Sequence, residues 1–167
     1  MSRLPETSDT RAKLPTQRLT GKMRQWLRVS RRGNDEAIHF SRNSDNRFTG
    51  NCGRFGTLYL AESRAGILAE TICRNASKLH EDEKTVALKE LQQLKLYTVV
   101  LETELTILDF TVPHLARYRL DARIFSEREE GITPPYRYGP TWASYAYDLG
   151  LGGILYPSRH AIDQRSL

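Results

Sequence analysis

Short apolar runs separated by polar, Asn/Ser/Gly-rich stretches fill this chain, and they predict many small elements. QWLRV (25–29) reads as a strand that opens the folded part, with Arg28 in its middle or at its end. Residues 41–57, SRNSDNRFTGNCGRFGT, carry turn chemistry and predict a long loop. LYLAES (58–63) predicts a short strand with Tyr59 near its start. Ser63 is placed to N-cap a helix over RAGILAETICRNASKL (64–79), and Glu70 falls inside it among small and apolar residues. Val86, Ala87, Leu91 and Leu94 keep a 3.6-residue rhythm that predicts a second helix over about 81–93.

LKLYTVVLE and ELTILDFT are β-rich stretches. HLARYRLDARIF predicts a short helix and EREEGITPPYRYG a polar loop. TWASYAYDLG predicts a helix with Gly150 as its cap, and GGILYPSR a last strand. Residues 1–22 are polar and show no periodicity, so they read as a flexible leader ahead of one domain over 23–167. Helices and strands do not alternate regularly, which favours an α+β domain with flanking helices over a doubly wound sheet.

A length of 167 residues fits one domain. The net charge of +5 and a pI of about 9.4 favour anionic partners: nucleic acid, a membrane surface or a phosphorylated small molecule. Arg24, Arg28, Arg31, Arg32, Arg42 and Arg47 concentrate that charge early, interleaved with aromatic and turn residues and not gathered in a basic tail. The longest apolar runs fall far short of the ~20 residues of a membrane span, and the first residues lack the apolar core of a secretory signal. Cys52 and Cys73 are too few for a disulfide framework or a four-cysteine zinc site, so the cytoplasm is the default compartment. The four histidines lack metal-motif spacing, and there is no Walker loop or dinucleotide glycine fingerprint.

Four features carry candidate chemistry, each with a plainer alternative. Arg28 in an apolar run either snorkels from a strand edge or faces an anion pocket. Arg47 and Arg54 lie in a loop whose amides and guanidinium groups could approach a phosphate together, although either arginine alone is weak evidence. Glu70 on an apolar helix face is either a semi-exposed helix residue or a cleft carboxylate. Ser158, after Tyr156 and Pro157 at a strand end, is either a turn serine or part of a site.

In order and spacing, NRFTGNCGRFGTLYLAESRAGILAETICRN and the later LGGILYPSR resemble the RES domain family, named for its Arg, Glu and Ser. The resemblance covers about 26–159. Arg28 matches the early arginine. Arg47 with Phe48 matches the loop pair, and Arg54 with Phe55 competes for that place. Tyr59 lies in the strand, Glu70 is the helix glutamate, Ser158 is the late serine, and Trp142 is an aromatic before the last strand. Nine residues follow Ser158, where the family usually continues with a strand that completes the sheet.

The resemblance implies an ADP-ribosyltransferase-like fold with a small, split β-core and an enzyme that consumes NAD+. It implies a toxin paired with a helix-turn-helix antitoxin, needing no metal and making no direct contact with nucleic acid or membrane. Inorganic phosphate is the co-substrate in some members, which release nicotinamide and ADP-ribose 1″-phosphate. Other members transfer ADP-ribose to a protein.

In that chemistry Glu70, Arg28 and Ser158 are the expected catalytic residues, and Arg47, Tyr59 and Arg54 the expected NAD+-binding ones. A carboxylate at the ribose stabilises an oxocarbenium-like transition state. A tyrosine ring suits the positive nicotinamide, and arginines suit the pyrophosphate. A mono-ADP-ribosyltransferase would use the same residues. The alternatives of another class are a basic nucleic-acid-binding module and an inactive module that only binds a partner.

Overall fold

The computed structural model of the chain describes residues 4–6, 13–20, 25–31, 36–50, 53–73, 86–111, 114–126, 128, 135–158 and 165–167. Among them, β1 (Thr16–Leu19), β4 (Leu105–Asp109), β5 (Gly153–Pro157) and β6 (Arg165–Ser166) form a four-stranded sheet in the order β1-β4-β5-β6. β2 (Gln25–Arg31) and β3 (Leu94–Val100) pair antiparallel in a separate ribbon. The expected split β-core is therefore present, and the architecture is α+β. β4 and β5 run parallel, so the chain between them must cross over, which it does through α3 (His114–Arg117), α4 (Arg123–Ser126) and α5 (Tyr138–Asp148).

Successive side chains of a strand point to opposite faces, and the two central strands are apolar on both. Leu108, Ile154 and Tyr156 join Phe110, Trp142, Phe125 and Ala146 in a core on the helix side. Ile107 and Leu155 join Trp26, Leu60 and Val99 in a second core on the ribbon side. Trp142 is fully buried and meets Phe110 edge-on at 5.4 Å between ring centroids. α5 stops where the sequence places its cap: Gly150 takes φ +67°, its N–H donates to Tyr147 O, and Leu151 N–H donates to Ala146 O.

Several elements differ from the sequence expectation. Thr16–Leu19, within the segment read as a leader, forms β1 and buries Leu19; four residues are too few to show a period. Residues 58–63 make no regular strand. Instead, Leu60 and Ala61 act as a stitch between the two sheets. Ala61 exchanges both backbone hydrogen bonds with Leu27 of β2, and Leu60 does the same with Leu167, next to β6. The helix expected over 114–125 is two short ones, broken where Arg119 adopts φ +59°. Of the helix expected over 81–93, α2 (Leu88–Leu91) is present, and 81–85 lie outside the described residues.

Candidate functional site

Ser63 caps α1 (Arg64–Leu68) as expected, its Oγ accepting from Gly66 N–H at 2.9 Å. Beyond Leu68 the helix widens into a π turn over Ala69–Cys73. Thr71 Oγ1 donates to Ile67 O at 2.7 Å, occupying the carbonyl that an α register offers to the Thr71 N–H. Such widened turns concentrate at functional sites. Glu70 is in this one, and it faces a cavity of about 400 Å³.

The cavity is lined by Val29 and Arg31 of β2, by Arg47, Tyr59 and Leu60, by Ile67, Glu70 and Thr71, and by Tyr136, Tyr156 and Ser166. Ser158 is 1% exposed and donates from Oγ to Glu70 Oε1 at 2.7 Å. The two residues are 88 positions apart, so the end of β5 and the π turn jointly fix this carboxylate.

Arg47 is 5% exposed, and its Nε and Nη1 have no hydrogen-bond partner among the described residues. Its guanidinium lies over the rings of Tyr156 (5.5 Å) and Tyr136 (5.8 Å). Phe48, next to Arg47, is held at both backbone groups: its N–H donates to Tyr59 Oη at 2.8 Å, and Thr57 Oγ1 donates to its carbonyl oxygen at 3.1 Å. Gly139, in the first turn of α5, packs its Cα against the Arg47 carbonyl. Tyr59 thus has a role the sequence does not show. Its ring lines the cavity while its hydroxyl anchors the arginine loop. A Tyr59→Phe variant leaves that N–H unpaired and should lose about 1–3 kcal/mol of stability, read as a fall in Tm of roughly 2–4 °C per kcal/mol.

The other two arginines expected at the site lie elsewhere. Arg28 shares strand parity with buried Trp26 and Ser30, whereas Val29 and Arg31, on the alternate face, reach the cavity. Arg28 Nη1 donates to His39 O at 3.0 Å. Burial lowers its pKa from the usual guanidinium value, partly offset by Tyr97 opposite it on β3. Arg54 pairs with Asp148 at 2.9 Å and lies over the Tyr147 ring, half exposed. Of the loop arginines, only Arg47 lines the cavity.

Sequence reasoning missed Arg31, Tyr136 and Ser166 as lining residues. The strand alternation of 25–31 could have shown Arg31, but nothing local marks the other two. Tyr59, Leu60 and Tyr156 also wall a second cavity of about 430 Å³, mostly apolar and without acidic or basic side chains, whereas the first is lined by Glu70, Arg31 and Arg47. Among the described residues no group of three or more His, Cys, Asp or Glu could hold a metal ion. No helix among them is long and apolar enough to cross a membrane.

The split sheet with helices on one face gives a mixed α+β fold of the ADP-ribosyltransferase-like kind, and a carboxylate and a buried arginine share one cavity beside it. Within that class the chain belongs to the RES domain family, whose model matches residues 24–166. It is similar in structure to a chain of the M. tuberculosis MbcT–MbcA toxin–antitoxin complex, with a TM-score of 0.62 and 18% identity, covering 89% of this chain and 75% of that one. No curated protein sequence matches it significantly.

Proposed function

We propose that this chain is a toxin that consumes NAD+ by cleaving the nicotinamide–ribose bond, and that an antitoxin with a helix-turn-helix domain neutralises it. The observation that carries the reading is the Ser158–Glu70 hydrogen bond at the wall of a cavity also lined by Arg47, whose Nε and Nη1 have no hydrogen-bond partner among the described residues. Membership of the RES family and the likeness to a toxin–antitoxin chain support it.

As the C–N bond breaks, positive charge spreads over the ribose C1 and ring oxygen. The Glu70 carboxylate faces that charge. Ser158 takes one of its oxygens and leaves the other for a ribose hydroxyl. The nicotinamide ring nitrogen keeps the bonding electron pair and leaves as the neutral base. Tyr59 gives its positive ring an aromatic surface before departure. Arg47 and Arg31 supply cations for the phosphate groups. Arg28 acts from behind the wall, holding the His39 segment.

Incubating the purified chain with NAD+, with and without inorganic phosphate, and resolving the products by mass tests the proposal. Loss of NAD+ with release of nicotinamide is expected, and no loss from a folded protein overturns it. Label from NAD+ appearing on protein would instead mean ADP-ribosyl transfer. Arg54→Ala should keep turnover within about twofold, because its ion pair is half exposed and worth about 0–1 kcal/mol. Arg47→Ala should abolish it.

A further inference from the structure

The second cavity, of about 430 Å³, has no part in the proposed cleavage. Phe48, Ala143 and Ile154 on its wall belong to the helix-side core. Leu60, Leu101 and Leu167 belong to or pack against the ribbon-side core. Leu105 where β4 begins, and Gly152 and Gly153 where β5 begins, complete this part of the lining. The cavity therefore reaches around the end of the sheet at which the two parallel strands start, and it touches both cores. Two glycines in succession leave that bend without side chains of its own. A Cβ on Gly152 would come within 3.0 Å of Leu105 Cδ2, and one on Gly153 within 3.4 Å of Leu167 Cδ1.

The lining suits hydrocarbon. No acidic or basic side chain reaches it, and two of its hydroxyls are engaged with Phe48: Tyr59 Oη accepts from the N–H, and Thr57 Oγ1 donates to the carbonyl. An ordered water needs two to four polar partners, and an engineered apolar cavity of about 150 Å³ stays dry and takes benzene. This cavity is about three times that size. An empty apolar void destabilises a fold increasingly with its volume, so an apolar occupant recovers contacts that the void forfeits. Phe40, 57% exposed, and Tyr147, 47% exposed, stand on the lining and mark its mouth.

We infer that this cavity is a binding site for an unbranched aliphatic chain of medium length, the tail of a fatty acid, with the polar end left in solvent between Phe40 and Tyr147. A passage that bends around strand ends suits a chain with many rotatable bonds better than a rigid fused ring. The absence of charge in the lining makes the tail, and not the head, decide affinity. The site also meets the arginine loop from behind. Phe48 is on its wall, and Tyr59, Leu60 and Tyr156 line both cavities. A bound chain packs against the tyrosine ring whose hydroxyl holds the Phe48 N–H. The site stands whether or not the chain cleaves NAD+.

Calorimetry of the full chain with sodium butyrate, hexanoate and octanoate, and with 1-octanol, tests the inference. Saturable binding of one octanoate per chain is expected. Affinity should rise about fourfold per added methylene, the equivalent of about 0.8 kcal/mol, and 1-octanol should bind comparably to octanoate. Ala143→Leu fills the cavity from α5, and Leu101→Asp puts a carboxylate into the lining from the β3–β4 connection; neither residue lines the Glu70 cavity. Each should weaken octanoate by about tenfold or more. Arg31→Ala, at the Glu70 cavity, should bind octanoate like the parent. Octanoate should also slow hydrogen exchange of the Phe48 amide. Absence of saturable octanoate binding by the folded parent overturns the inference, as does affinity that ignores chain length. So does parental binding in whichever of Ala143→Leu and Leu101→Asp folds, or loss of binding in Arg31→Ala, because the chain would then lie elsewhere. An unaltered Phe48 amide at saturating octanoate overturns the placement behind the arginine loop.

Discussion

A Glu70→Gln variant is expected to fold normally and to lose NAD+ turnover by about 10²–10³-fold, the range seen when one preorganised transition-state contact is removed. The substitution keeps the size of the side chain and an oxygen that can accept from Ser158 Oγ, so the link between the π turn and the end of β5 survives. What disappears is the negative charge beside the ribose. The loss should therefore fall on kcat, with KM changed little, because the charge matters most when the oxocarbenium character develops. Thermal unfolding should give a Tm close to that of the parent chain. Undiminished kcat in a folded Glu70→Gln protein would remove this residue from the mechanism.

Gly139→Ala is expected to damage both stability and activity, although residue 139 is absent from the cavity lining. A Cβ built on Gly139 runs into the carbonyl oxygen of Arg47 and comes within 3.1 Å of its carbonyl carbon and Cγ. Backbone cannot swing aside as a flexible side chain does, and the backbone N–H and carbonyl of Phe48 are both held by side chains. Either α5 or the arginine loop must move. Overpacking of this kind costs about 1–3 kcal/mol, and a backbone clash belongs at the upper end. A displacement of even about 1 Å in a positioning group can cost 10²-fold in rate. Turnover should fall by about that factor, with Tm lowered by several degrees. A variant with parental Tm and parental turnover would show that the Arg47 backbone can shift freely.

The candidate site was legible in part, since Arg28 and Arg54 were expected at it and lie elsewhere. Glu70 and Ser158 carried a signal through their order and their unusual surroundings, and the structure joins them by a hydrogen bond. The loop arginines were legible only as a pair. Choosing Arg47 over Arg54 needs the positions of Gly139 and Tyr59, which lie on other elements. Arg31 enters through a strand face that the alternation of 25–31 could have shown, and Ser166 through the β6 pairing, which sequence spacing does not show. The capped helices followed from turn residues and periodicity, whereas the split sheet was expected only from the family resemblance. The π turn did not follow, because nothing in the local residue pattern of Ala69–Cys73 distinguishes a π register from an α one.

The stitch at Leu60 and Ala61 has a consequence for how the molecule opens. Ribbon and sheet are joined there through the amides of Leu27, Ala61, Leu60 and Leu167, each donating across the seam. In hydrogen exchange these four amides should share one protection level, since releasing one pair frees the other. Val29 stands on one side of that seam and Ser166 on the other, so a single opening event separates two walls of the cavity at once. A ligand that touches both walls should slow the exchange of all four backbone amides, those of Leu27, Ala61 and Leu167 included, which are not on residues lining the cavity.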